Sequence, residues 1–185
     1  MTMKPLKKGA TYDDLRDVPD NFVAEMFDGE LYATPRPLLS HANAASELLH
    51  KIRGSFHHRR PGGWIILYEP ELHFANDVLV PDIAGWRRTR LPEIPPDAAY
   101  TTLAPDWICE VLSARTEKLD RGKKLRIYAR EGVAHAWLLD PRRRTLEAMS
   151  LEAGRWTVLG TYEGEVGVRA APFESIELEL GELWS

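Results

Sequence analysis

Two acidic residues, Asp82 and Glu110, stand in stretches of sequence that are otherwise strongly apolar. Glu110 lies within Trp107 to Leu112, a run that predicts a strand covered on both faces in the middle of a sheet. Because burying an unpaired carboxylate costs roughly several kcal/mol, Glu110 needs a cation, a proton or several hydrogen bonds. Asp82 follows Pro81 in a predicted strand over residues 78–86, and a proline there indicates an edge or a bulge that re-aims its neighbour.

The segment after Glu110 offers the cation. Asp120, Lys124 and Tyr128 recur every four residues, so they project from one face of a predicted amphipathic helix. Asp82 and Glu110 on adjacent strands would repel each other, and a divalent cation held by their oxygens removes that conflict. Magnesium suits such a site because it keeps several waters, and the Lys124 ammonium could orient one of them or stabilise charge on a phosphate.

Each of these residues also has a purely structural interpretation. Asp82 could only cap the proline bulge, Glu110 could only pair with a buried lysine, and Asp120 with Lys124 could form an exposed helix salt bridge. One shared metal site accounts for all of them at once, because isolated buried charges need one another. The metal site is therefore our working hypothesis.

Three other residues with polar or reactive side chains are weaker candidates. His41 opens a predicted helix, where it could assist the site or bind phosphate, or simply cap the helix at the surface. Tyr128 is typical of a packing residue with a polar tip. Cys109, the single cysteine, lies inside the buried strand without a partner in the chain, which indicates a small packed hydrophobe.

The composition limits the class of protein. With 185 residues, 44% hydrophobic and 28% charged, the chain predicts one globular domain over residues 1–185. It has no apolar run of membrane-spanning length, and its first residues lack the apolar core of a signal peptide, so we expect a cytoplasmic protein without membrane contact. The net charge of −4 argues against a general nucleic-acid coat protein. Three basic runs, at residues 57–60, 87–90 and 142–144, are typical of solvated turns but could meet a phosphate backbone if they share a face.

The remaining elements follow from periodicity and turn residues. Asp28-Gly29 predicts a tight antiparallel hairpin, and Ser40 predicts the N-cap of a helix over residues 41–56. Further strands are predicted over residues 64–68 and 71–74, and a C-terminal antiparallel meander over residues 145–151, 155–162 and 166–170.

Several motifs together resemble the Uma2 family. They are EMFDGE from Glu25 to Glu30, His41 at a helix start, VLVPD from Val78 to Asp82, PDWICEVLS from Pro105 to Ser113, DRGKK from Asp120 to Lys124, Tyr128, and GVAHAWLLD from Gly132 to Asp140. Each motif is common, but the combination is specific and spans nearly the whole chain.

The resemblance implies an α+β restriction-endonuclease-like fold of the PD-(D/E)XK superfamily, with a mixed central β-sheet flanked by helices. It implies Asp82 and Glu110 as metal ligands, with the Val111 carbonyl as a third. Leu112 stands where the superfamily pattern expects its lysine, and the resemblance implies that Lys124 supplies the lysine from the following helix. Glu25 is implied as an accessory acid, beside the accessory residues His41 and Tyr128.

The function that follows is a Mg²⁺- or Mn²⁺-dependent endonuclease that hydrolyses phosphodiester bonds by metal-activated water. Its expected partner is nucleic acid, with DNA favoured over RNA. Two alternatives stay open: a catalytically silent homodimeric binding or scaffold protein that keeps the nuclease fold, and a hydrolase of small phosphorylated substrates. The apolar closing strands and the scattered tryptophans favour a homodimer, and nucleases that cut both strands often need two sites.

Overall fold

The computed structural model describes residues 3–57 and 63–185, and these residues form a mixed α+β structure. The strands are β1 (Lys7–Lys8), β2 (Phe22–Phe27), β3 (Glu30–Pro35), β4 (Trp64–Tyr68), β5 (Leu72–Phe74), β6 (Asp77–Leu79), β7 (Ile83–Arg87), β8 (Trp107–Val111), β9 (His135–Asp140), β10 (Thr145–Glu152), β11 (Arg155–Glu163), β12 (Gly167–Val168) and β13 (Leu178–Glu179). The helices are α1 (Tyr12–Arg16), α2 (Leu39–Phe56), α3 (Glu117–Leu119) and α4 (Leu125–Arg130), with a π-helical segment at Asp120–Lys124 and a 3-10 turn at Leu180–Leu183.

The central sheet has six strands in the order β11-β10-β9-β8-β7-β4. The neighbours β8 and β9 are parallel and every other pair is antiparallel, which confirms the predicted mixed sheet. All five residues of β8 are buried, as its apolar sequence predicted. Helix α2 packs on one face of this sheet through Leu48 and Ile52, while α4 packs Ile127 and Tyr128 into the core on the other face.

A second sheet of five antiparallel strands, in the order β1-β3-β2-β6-β5, lies beside the first. Its β2–β3 hairpin turns at Asp28 and Gly29, whose φ angles of 56° and 69° suit the predicted tight turn. The prediction of one strand over residues 78–86 is wrong, because β6 belongs to this sheet and β7 to the central one. Pro81 and Asp82 form the link, since proline lacks the N–H that a continuous ladder needs.

Two other predictions of element bounds need correction. Helix α2 begins at Leu39 with Leu38 as its N-cap, so Ser40 lies inside the first turn instead of capping it. The meander contains only β10 and β11, because the third predicted strand, over residues 166–170, instead contributes β12, which pairs with β13 in a separate two-stranded sheet. Trp184 closes that region by donating from Nε1 to the Gly164 carbonyl. Within the residues described, no helix combines the length and the apolar character needed to cross a membrane.

Candidate active site

A cleft of about 440 Å³ opens where the two sheets meet. Glu25 reaches it from β2, Glu110 from β8, and Asp82 from the link between β6 and β7. Lys124 reaches it from the π-helical segment, and His41 from the first turn of α2. The fold therefore brings to one place residues that lie up to about a hundred positions apart in the chain.

Lys124 is the centre of a buried ion cluster, with 4% of its side chain exposed. Its Nζ lies 2.9 Å from Glu110 Oε1, 2.9 Å from Glu25 Oε1 and 3.9 Å from Asp120 Oδ1. The Tyr128 hydroxyl donates a 2.7 Å hydrogen bond to Glu110 Oε1. The cation that Glu110 was predicted to need is therefore present, and it is shared with two further acids.

The local backbone differs from the predicted single α-helix. Residues 120–124 form a π-helical turn between α3 and α4, and it carries both Asp120 and Lys124. Such a turn accommodates an extra residue within a helix and often occurs at functional sites. Both side chains are buried, so the interpretation of Asp120 and Lys124 as an exposed surface salt bridge is wrong.

Asp82 is held by two hydrogen bonds, one to each carboxylate oxygen. His41 Nε2 lies 2.8 Å from Oδ1, and the Val111 N–H donates to Oδ2 at 2.7 Å. His41 is therefore not a surface cap: 14% of its side chain is exposed, and its Nδ1 is buried without a hydrogen-bond partner in the described part of the chain. The Val80 N–H donates to Glu25 Oε1 at 2.9 Å, so the main chain just before Pro81 is tied to the same cluster.

Burial and charge shift the titration of this cluster. Burial raises the pKa of Glu110 well above its ordinary value, against the opposing effect of the Lys124 ammonium. Burial likewise raises the pKa of Asp120 to about 7. Burial alone would lower the pKa of Lys124, but the Glu110 and Glu25 carboxylates outweigh it and raise that pKa well above its usual range. The ammonium charge is therefore secure, whereas one ammonium does not fully compensate the acids around it.

The pKa of His41 is shifted in the same direction as that of Lys124. Burial lowers its pKa, but the hydrogen bond and the charge of Asp82 outweigh burial and raise the pKa above the ordinary value. The imidazole therefore orients the Asp82 carboxylate, and that contact favours the protonated form of His41.

The donor set suits a hard cation with few protein ligands. Among the described residues, no group of three or more His, Cys, Asp and Glu side chains is arranged to hold a metal ion. A cation here would depend on Asp82 and Glu110 together with main-chain and water oxygens. Each Asp82 oxygen accepts one hydrogen bond and keeps further acceptor capacity, and an all-oxygen set matches Mg²⁺ or Mn²⁺. That the Val111 carbonyl is a third metal ligand stays a prediction.

Arginines around the cleft were largely missed by the sequence interpretation. Arg142 lines the cleft, and with Arg143 it binds the buried Asp140, so these two are not simply solvated. The run at 87–90 does not join them. Trp64 pairs with Arg87 at the opposite end of the central sheet from Val111, and residues 58–60 lie outside the described part.

Comparisons with known proteins agree with this architecture. A family model named Uma2 and described as "Putative restriction endonuclease" matches residues 10–181. A crystal structure described as "a putative nuclease belonging to DUF820" from Anabaena variabilis superimposes with a TM-score of 0.77 at 22% identity, covering 95% of this chain and 97% of that one. A search of curated proteins gave no match. The fold is thus the expected restriction-endonuclease-like one, and both descriptions refer to nucleases.

Proposed function

Because the chain belongs to the Uma2 family, we propose that it is a metal-dependent endonuclease that hydrolyses phosphodiester bonds, with DNA as the expected substrate. The observation that carries the proposal is the meeting of Asp82, Glu110 and Lys124 in one cleft, with Lys124 Nζ 2.9 Å from Glu110 Oε1. Two acids can hold a divalent cation, and an ammonium can stabilise charge that develops on a phosphate. The family description supports the nuclease class.

Asp82 and Glu110 are the residues that would hold a divalent cation. When bound, such a cation lowers the pKa of water and offsets the negative charge of a phosphate. The His41 and Val111 hydrogen bonds fix the orientation of the Asp82 carboxylate before any ligand arrives. That preorganisation avoids the free-energy cost of ordering the carboxylate during binding.

Lys124 is the residue placed to stabilise charge that develops on phosphate oxygens. Its ammonium is fixed by Glu25 and Glu110, so it requires no reorganisation during reaction. Glu25 acts as an accessory acid that positions Lys124, and Tyr128 positions Glu110 through its hydroxyl. His41 positions Asp82.

Titration calorimetry with Mg²⁺ and Mn²⁺, followed by nicking of supercoiled plasmid, tests this proposal. We expect Asp82→Asn and Glu110→Gln to lose metal binding and nicking together. We expect Lys124→Met to keep metal binding and lose nicking by about 100-fold or more, the scale found when one preorganised electrostatic group is removed.

Asp97→Ala is the matched control, because Asp97 is an exposed acid outside the cleft. No metal binding by the wild type would contradict the catalytic proposal and favour the scaffold alternative. Metal binding without cleavage of either supercoiled plasmid or single-stranded DNA would contradict DNA as the substrate.

A further inference from the structure

Two loops, one from each sheet, form the rim of the cleft and carry features that the proposed chemistry does not use. The β3–α2 loop brings Arg36 and Leu38, and the loop after β8 brings Arg115. The inference below rests on the proposed function and concerns the kind of nucleic acid that this rim accepts.

Of the three arginines that line the cleft, two are already paired. Arg142 binds Asp140 and Glu117, while Arg36 binds the Asp20 carbonyl at 3.0 Å and lies 3.5 Å from Glu69. The exposed Arg115 side chain makes no hydrogen bond or ion pair within residues 3–57 and 63–185. Arg115 is thus a guanidinium available to an incoming anion.

The backbone that carries Arg115 is fixed although its side chain is free. The Arg115 and Thr116 N–H groups donate to Ser113 Oγ at 3.2 and 3.1 Å, which closes the turn directly after β8. Arg115 therefore stands at a defined place, five positions along the chain from Glu110. A guanidinium is well suited to bind a phosphate with two parallel hydrogen bonds.

The other loop exposes two adjacent leucines at the start of α2. Leu38 and Leu39 are 78% and 89% exposed, the highest values among the large hydrophobic side chains that the structure describes. Leaving leucine in water is unfavourable by about 25 cal/mol for each Å² of apolar surface. Leu38 lines the cleft and Leu39 is its neighbour in the chain, so this exposed apolar pair at the rim indicates a contact surface.

These features favour a single strand over a duplex. Proteins that bind duplex DNA through its phosphates commonly neutralise about six to ten of them with Lys and Arg. Among the residues that the structure describes, this cleft offers one unpaired arginine, and the chain has a net charge of −4. A duplex must be unstacked before an apolar side chain can contact a base face, whereas a single strand presents its base faces directly.

We propose that the rim binds single-stranded or locally unpaired nucleic acid, with Arg115 on a phosphate beside the scissile one and Leu38 with Leu39 against a base. The substrate class is therefore a strand with accessible bases. Fluorescence anisotropy in EDTA, with a short labelled deoxyoligonucleotide and the duplex of the same sequence, tests this without any cleavage.

We expect the wild type to bind the single strand about tenfold more tightly than the duplex, the scale of one base contact. Arg115→Ala should weaken single-strand binding about tenfold and reduce its salt dependence by about one phosphate contact. The double variant Leu38→Ser, Leu39→Ser should lose the preference for the single strand while its duplex Kd stays unchanged. Arg169→Ala and Leu6→Ser are matched controls, being exposed residues outside the cleft.

Equal or tighter duplex binding, no measurable single-strand binding, or rim variants that match the controls would overturn the inference. The exposed leucines could instead form a contact between two subunits, and light scattering tests this. A dimer that dissociates in the leucine variant would assign them to that contact and would also overturn the inference. Because binding is measured without metal, the absence of metal-dependent cleavage of both plasmid and single-stranded DNA would refute the proposed function alone.

Discussion

Two buried carboxylates lie at the same end of the parallel neighbours β8 and β9, yet their surroundings are opposite. Asp140, at the end of β9, accepts hydrogen bonds from the Arg142 and Arg143 side chains and from both of their N–H groups. Burial alone would raise its pKa, but these partners outweigh burial and lower the pKa below the ordinary value. Glu110, at the end of β8, shares one lysine with two other acids, and burial raises its pKa.

The difference lies in charge balance, since both carboxylates are almost completely buried. Around Asp140, two arginines face two acids, because Glu117 also binds both of them. Around Lys124 the acids outnumber the cation. A cluster with balanced charges stabilises the fold. In an unbalanced cluster the excess buried negative charge is unfavourable, and a ligand that supplies positive charge relieves it. We therefore interpret the first as a structural pair and the second as the proposed binding site.

Replacing Asp140 should produce the largest effect on stability. Asp140→Asn removes the charge that organises Arg142 and Arg143, and we expect a loss of roughly 2–4 kcal/mol in the free energy of unfolding. Urea unfolding in EDTA measures it, with Asp97→Asn as the exposed control. A loss no larger than that of the control would remove the distinction between the two carboxylates.

The unbalanced cluster should make the free energy of unfolding depend on pH. The pKa of Asp120 is about 7 in the folded chain against an ordinary value of 3.8. Between these values the folded state binds more protons than the unfolded state, so stability falls as pH rises toward 7. One pKa unit corresponds to about 1.4 kcal/mol, which makes a few kcal/mol the upper bound.

Asp120→Asn should remove that fall. Urea unfolding in EDTA at a series of pH values from about 4 to about 8 should show the stability difference between variant and wild type growing with pH up to about 7. Parallel curves for the two proteins would contradict the raised pKa. Asp140 contributes a pH dependence of stability with the opposite sign. Because its pKa is lowered in the folded state, its contribution to stability is lost only as the pH falls below the ordinary pKa of an aspartate.

Replacing Glu110 should have the smallest effect on stability and so sharpen the contrast. Glu110→Gln removes a carboxylate whose ionisation is opposed by burial, while Lys124 keeps Glu25 and Asp120. We expect a change within about 1 kcal/mol in EDTA, or a slight gain, because an unfavourable buried charge is lost. A loss as large as that of Asp140→Asn would show that Glu110 is a structural residue.

The sequence predicted much of the central unit because its signals are local. The apolar run of β8 predicted a buried strand, and the lone Glu110 within it predicted a compensating cation. Asp28-Gly29 predicted the hairpin because only a tight turn suits that pair. The apolar pattern over residues 78–86 is interrupted at Pro81, and the single strand predicted there is two strands in different sheets.

The details of the site depended on contacts that sequence patterns do not encode. Helical spacing placed Asp120, Lys124 and Tyr128 on one face, but the π-helical turn and the burial of Asp120 follow from packing. His41 was given an open role because its partner, Asp82, lies 41 positions away. Arg142 was interpreted as solvated because the carboxylate it binds belongs to a buried strand end.

The sequence by itself indicated which residues are candidates for chemistry, since a carboxylate in an apolar strand is costly wherever that strand packs. Only the tertiary structure decided how the charges balance. A buried acid can contact two arginines or share one lysine with two other acids. Which of these occurs depends on the loops and strand ends that pack together, and they bring together residues far apart in the chain. That balance distinguishes Asp140 from Glu110, and with it the structural pair from the candidate active site.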